Sequence, residues 1–448
     1  MAINDAFGLA FSGASDAGFS PYSQAVRELQ CFIGDPVGSV DRAIAENPGF
    51  VMAHVFKGYL FALATEREAT AVAKACYDAA LPLAATRREE AHVSALGHLA
   101  GGRWHEAARV LEDVAIDFPL DAVALQIGHQ IDFFTGNARM LRDRIARALP
   151  SWQDDMPGYH AMLGMQAFGL EEMGDYARAE TLGRAAIEIE PRDGWAQHAV
   201  AHVMEMQSRQ KDGIAWMRAN PEAWTTESFL KVHNWWHLAL FHYDLGETDE
   251  VLALYDGPIY GTRSTLALNM VDASAILWRL HLGGVDAGDH WAALAANWTP
   301  KAGAGNYAFN DAHAMMAFVG AGLDAPARTL LDAQREAMRG DGDNAAFTRD
   351  VGHPLTLAIQ AFGDRDYSRT VRLIRPIRAI AHRFGGSHAQ RDIIDLTLIE
   401  AALRAGDGAL ARALTAERSM ARPDSPLSAL LSRRAADCQR IDPKRILP

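Results

Sequence analysis

Apolar residues recur three and four positions apart along almost all of the 448-residue chain, the spacing that lines one face of an α-helix. Ala, Leu, Arg and Glu fill these stretches, and alternating strand-like runs are scarce. Gly, Asp, Asn or Pro interrupt them every dozen or so residues, as in EEMGDYARAE and DLGETDEVLALYD, which predicts short helices joined by tight turns. A period underlies the pattern. In GDYARAETLGRAAIEIEP, residues Ala179, Ala186 and Pro191 stand where a 34-residue tetratricopeptide repeat needs small, small and proline. The small side chains let two helices approach, and the proline ends the second. Weaker copies are GDPVGSVDRAIAENPGFVMAHVFKGYL, GRWHEAARVLEDVAIDFPLDAVALQ and GETDEVLALYDGPI.

The expected fold class is all-α: a tetratricopeptide-repeat-like α-solenoid of antiparallel helix pairs, with irregular segments able to curl or close it around a central pocket. Residues 1–448 are read as one helical repeat domain. N-terminal repeats run to about residue 150, central repeats carry the site over 151–320, and degenerate helix pairs occupy 321–448. Loops at 257–265, 299–306 and 339–346 break the period and are expected to be functional or mobile.

Composition narrows the function classes. Hydrophobic residues make up 49% of the chain and charged residues 22%, the balance of a globular protein. The formal net charge of −13 opposes a nucleic-acid partner, which needs a basic face. Arg residues between Arg365 and Arg445 are interleaved with acids and read as solvated helix faces. Cys31, Cys76 and Cys438 form neither a metal-type pair nor a disulfide framework. The first residues carry Asp5 and a broken apolar run, unlike a secretory signal. No apolar run has membrane-spanning length, so a cytoplasmic location is expected.

Candidate chemistry centres on two His-x-x-x-His pairs, His198 with His202 and His233 with His237. Imidazoles four apart stack on one helix face and can share a metal ion. With 17 histidines, chance supplies roughly 0.6 such pairs, so the pairs alone decide little. Their register says more. Both members recur after 35 residues, close to one repeat, which places them on successive first helices about 8–10 Å apart. Glu205, three residues after His202, is a candidate ligand or general base. The plain reading, a hydrogen-bonded network on an inner face, stands beside the metal reading.

Further candidates lie downstream. Asn310, Asp311 and His313 interrupt an apolar helix-like stretch, and buried polar groups there need partners. Asp311 is a candidate metal ligand and His313 a proton shuttle. Asp350, before Gly and Pro, reads as a helix start. Ser387 is a plausible N-cap, with Arg391 and Asp392 in the first turn, where an anion can bind. Trp195, Trp235, Trp236, Tyr307 and Asn310 are candidates to wall a substrate pocket. Nucleotide-binding glycine loops, GxSxG and HExxH are all missing, which opposes nucleotide, serine-hydrolase and zincin readings.

HAVAHVMEMQ, HNWWHLALFHYDLGETDEVLALYD, FNDAHAMMA, RDVGHPL and GGSHAQRD resemble, in order and spacing, the tetratricopeptide repeat protein 38 family. The likeness spans most of the chain, from NPGFVMAHVFKGYL to GGSHAQRD, and HNWWH and NDAH are its specific segments. It implies an all-helical repeat fold. It also carries over His198, His202, Glu205, His233, His237, Asn310, Asp311, His313, Asp350, Arg391 and Asp392. The family pattern admits Asn at position 388, which argues against His388 as a ligand. The family name describes a fold, so the reaction is argued from the site.

The expected function is that of a metal-dependent enzyme acting on a small organic molecule by hydrolysis of an amide or ester. The cofactor expected is a divalent metal ion, Zn or Fe foremost, bound by His198, His202, His233, His237 and Asp311. Glu205, His313, Arg391 and Asp392 are the expected catalytic residues. Alternatives are a non-haem iron oxygenase at the same site, a repeat scaffold for a peptide or small ligand, and a metal-free enzyme using His as acid and base. A homodimer is plausible; nucleic acid and membrane are not expected partners.

Overall fold

The computed structural model describes residues 3–438. Its chain opens with a two-stranded antiparallel hairpin, β1 (Ile3–Asn4) and β2 (Ala10–Phe11), in which Ile3 pairs with Phe11. Among the described residues the elements after that are helices, joined by turns and one isolated bridge between Ile33 and Ser228. The first ten helices are α1 (Asp16–Cys31), α2 (Pro36–Glu46), α3 (Val51–Ala62), α4 (Arg67–Ala80), α5 (Arg87–Ala100), α6 (Trp104–Asp117), α7 (Ala122–Phe134), α8 (Ala138–Ala148), α9 (Tyr159–Glu172) and α10 (Tyr176–Ile189). The middle of the chain holds α11 (Gly194–Met206), α12 (Gln210–Ala219), α13 (Pro221–Thr225), α14 (Lys231–Leu245), α15 (Thr248–Leu254), α16 (Ala267–Leu282), α17 (Asp289–Trp298) and α18 (Ala308–Ala321). The last seven are α19 (Asp324–Ala337), α20 (Asp343–Phe347), α21 (His353–Gly363), α22 (Tyr367–Ile374), α23 (His388–Arg404), α24 (Gly408–Ala421) and α25 (Pro426–Asp437). The all-α, solenoid-like class expected from the periodicity is the class observed.

Local chemistry starts these helices where the sequence places its breakers. Asp35, Asp121, Asn137, Asp366 and Asp407 each accept a backbone N–H of their helix's first turn, satisfying a donor that the helix cannot. Thr86 with Glu89 and Ser387 with Gln390 form reciprocal capping boxes. The N-cap expected at Ser387 is therefore present. Asp350 lies in a short π-turn, Thr348–Gly352, that leads straight into α21. All three cysteines are free thiols.

The helices group into two compact units. The first comprises the described residues up to Val200, with 220–231 and 341–344. Within it α1 packs on α2, α3 on α4, α5 on α6 and α9 on α10, a run of helix hairpins. Small residues set the approach: Ala179 and Ala186 are fully buried. A Cβ on Gly183 of α10 would come within 2.6 Å of Val200 Cγ2.

The second unit comprises Ala201–Ala219, Val232–Gly340 and the described residues from Ala345. Here packing is not limited to sequence neighbours. Helix α18 contacts α16, α17, α19 and α21, while α16 also packs on α23. Trp278 Nε1 donates to Thr397 Oγ1 at 3.0 Å, and the buried Arg279 guanidinium donates to the Ala389 carbonyl at 2.7 Å. These bonds fix the wall of α16 that faces the histidine helix.

Candidate metal centre

Helices α11 and α14 carry the two His pairs. On α11, His198 and His202 stand one turn apart, held to each other by the helix itself. His233 and His237 repeat the arrangement on α14. One ring nitrogen from each of the four lies within 4.8 Å of the others. The ring centroids of His202 and His237 are 4.4 Å apart, and those of His233 and His237 are 4.9 Å apart. His198, His202 and His237 are buried; His233 keeps a small exposed edge.

Two carboxylates grip this cluster from behind. His233 Nδ1 lies 3.0 Å from both oxygens of Asp272 on α16. His237 Nδ1 lies 3.0 Å from Glu205 Oε2, one turn beyond His202 on α11. A neutral imidazole donating from Nδ1 to a carboxylate carries its lone pair on Nε2. Carboxylate contact therefore selects the tautomer and orients the ring, as it does behind metal-bound histidines. Burial, reinforced by His202, His233 and Arg279, holds His237 well below the ordinary imidazole range, so it stays neutral at pH 7. Glu205 is itself tethered, its Oε1 lying 3.6 Å from Arg422.

Aromatic rings surround the imidazoles. Trp236 stacks on His233 at 5.3 Å and 14°, packs edge-on against His237 at 5.0 Å, and has the Arg279 guanidinium 5.2 Å from its ring centroid. Trp195 packs on His198 at 4.8 Å and stacks on Phe32 at 5.3 Å. Trp235 is half-buried.

The remaining sequence candidates have other partners. Asp311 is not one of the four clustered groups. Its Oδ2 accepts a 3.3 Å bond from Gln334 Nε2, whose amide also reaches Thr356. Burial pushes the Asp311 carboxyl up to about 7, despite the Gln334 bond. His313 Nδ1 donates to the Phe309 carbonyl at 2.8 Å, and burial pushes its imidazole down to about 4. Asn310 and Tyr307 are buried on and beside α18. Asp392 forms a two-point pair with Arg418, at 2.6 and 3.1 Å. Burial alone would raise the Asp392 carboxyl, but Arg418 and Arg422 hold it well below the usual carboxylate range. Arg391 donates to the Gly386 carbonyl at its helix start. His388 is half-buried at the first position of α23.

Three groups at the centre escaped the sequence reading: Asp272, Arg279 and Arg422. The available signal was a charged residue inside an apolar helical run, as in LNMVDASAILWRL, where burial demands a partner. No protein-family model matches the chain.

Proposed function

We propose that His198, His202, His233 and His237 hold a divalent transition-metal ion and that the protein is a metal-dependent enzyme acting on a small organic molecule. The observation that carries this reading is the pairing of Asp272 and Glu205 with the Nδ1 atoms of two imidazoles in a four-imidazole cluster. A plain hydrogen-bond network would have no need to gather four ligand atoms within 4.8 Å. The donor set fits the group: neutral imidazoles suit Zn, Fe, Mn, Ni or Cu.

When bound, the ion would act as a Lewis acid and lower the pKa of a coordinated water, which suits hydrolysis of an amide or ester. The protein's own residues have separate tasks. Asp272 and Glu205 orient His233 and His237 and keep their protons on Nδ1. Glu205 is thereby a positioning residue in this reading, because its second oxygen is turned to Arg422. Trp236 and Trp195 shield the imidazoles from bulk water, which strengthens every electrostatic contact among them. His313, held neutral by burial and donating from Nδ1 to the Phe309 carbonyl, has the Nε2 lone pair with which to accept a proton.

Ligand number favours one alternative. Four protein ligands close a tetrahedral zinc site, whereas a six-coordinate ion keeps positions open. If all four imidazoles bind, iron-type oxygen chemistry at the same residues fits better than zinc hydrolysis. Membership of the tetratricopeptide repeat protein 38 family, a small-molecule substrate, a homodimer and a reducing compartment belong to the same proposal. The three free thiols support the last. Among the described residues no helix is long and apolar enough to cross a membrane.

The test is elemental mass spectrometry on protein purified without a His-tag, beside a His198→Ala/His237→Ala variant. Near-stoichiometric metal in the parent, lost in a variant with unchanged circular dichroism, is expected and names the ion. No metal after reconstitution with Zn, Fe, Mn and Ni would overturn the proposal.

A further inference from the structure

Unit 1 holds a half-open pocket of about 210 Å³. An apolar cavity of roughly 150 Å³ accepts benzene, so this one holds a single ring with a short chain. Its roof is the turn between β1 and β2, where Asp5 Oδ1 accepts from the Phe7 and Leu9 amides, both at 2.9 Å. Its floor is one face of α1, whose lining positions 19, 22, 23, 26, 27 and 30 follow helical spacing. Phe7, Phe11 and Phe19 supply aromatic walls. Arg88 of α5 holds the hairpin side: it donates to the Ala10 carbonyl at 2.9 Å and covers the Phe11 ring, 4.7 Å from its centroid.

Two of the polar groups on this lining carry the argument. Tyr22 is 3% exposed, and its hydroxyl has no hydrogen-bond partner among the described residues. A buried hydroxyl without a partner is costly, so its position against a cavity is informative. Arg27 is exposed at the same face and joins no ion pair among the described residues. The other charged groups lining the cavity are committed. Arg88 pairs with Asp121 at 2.6 Å, Asp121 also caps α7, and Asp5 holds the hairpin turn. One uncommitted cation and the unpartnered, buried Tyr22 hydroxyl thus belong to the lining of an aromatic pocket sized for one ring.

We propose that this cavity binds a monocyclic hydroxyaryl carboxylate: the ring lies among Phe7, Phe11 and Phe19, the carboxylate meets Arg27, and the ring hydroxyl meets Tyr22. The site is independent of the histidine cluster and does not rest on its metal.

The test uses full-length protein and titration calorimetry with 3-(4-hydroxyphenyl)propanoate, 3-phenylpropanoate and the primary amide of the hydroxy acid. The hydroxy acid is expected to bind about tenfold tighter than either analogue. Tyr22→Phe, a conservative change that keeps the ring packing, should erase the preference for the ring hydroxyl. Arg27→Gln, at an exposed position, should erase the preference for the acid over the amide. Thermal melts confirm that both variants are folded. Absence of hydroxy-acid binding at millimolar concentration overturns the proposal. So does binding whose preferences survive in either variant, because both contacts are required.

Discussion

Replacing Asp311 by Asn tests the electrostatics of α18 directly. The carboxyl sits near 3.8 in an unfolded chain and is pushed up to about 7 by burial in the folded one. Between those values the unfolded chain is ionised while the folded chain keeps its proton. The folded state therefore binds more protons, and its stability falls as pH rises from about 4 to about 7. The shift spans about three pH units at about 1.4 kcal/mol each, so the full loss approaches about 4 kcal/mol above pH 7. Asn cannot ionise, and its amide oxygen can still accept the 3.3 Å bond from Gln334. The variant should match the parent near pH 4 and become more stable as pH rises, by about 2–4 kcal/mol at pH 8. Urea unfolding of both proteins at half-unit pH steps measures the difference. A difference that does not change between pH 5 and pH 8 would refute the reasoning.

Other expectations follow from the same contacts. Asp272→Asn should weaken metal binding about ten- to hundredfold without unfolding the protein, because it removes the carboxylate that orients His233; a competition titration with a chromogenic chelator reads this. Asp121→Ala leaves the buried Arg88 without its anion and uncaps α7. It should cost about 3–5 kcal/mol in denaturant unfolding, whereas Arg87→Ala, whose 3.4 Å pair with Asp117 is exposed, should change stability by under about 1 kcal/mol. Gly183→Ala forces a Cβ against Val200 and should lower stability by about 1–3 kcal/mol, readable as a lower melting temperature.

What the sequence discloses and what it hides divide along local and distant physics. The helices are legible because their apolar spacing and their caps are local. Ser387 capping α23 follows from four consecutive residues. The His cluster is legible because a step of 35 residues preserves helical face and register together. Asp272 is hidden because it lies 39 residues after His233 on a different helix, and nothing local ties the two. The hairpin at Ile3–Phe11 is hidden for another reason. Two-residue strands have no alternation to detect, and side chains far along the chain hold this one, chiefly Arg88 reaching Ala10. Asp311 shows the limit from the other side. Its polarity in an apolar run signals a buried partner, but the partner is Gln334 on α19, and sequence does not choose between an amide and an ion.

The bonds from α16 to α23 bear on how the second unit comes to exist at all. Trp278 and Thr397 are separated by 119 residues, Arg279 and Ala389 by 110. A nearest-neighbour array gains stability each time another hairpin emerges during synthesis. This unit cannot do so fully: Arg279 reaches the Ala275 carbonyl within its own helix, but its second carbonyl, at Ala389, and the Thr397 hydroxyl that Trp278 meets exist only when α23 has been made. Until then this cation and this indole lack those distant partners, so completion of this unit is a late, cooperative event. Deleting the last three helices would accordingly remove more than the end of an array, since it would leave α16 permanently in that unfinished state.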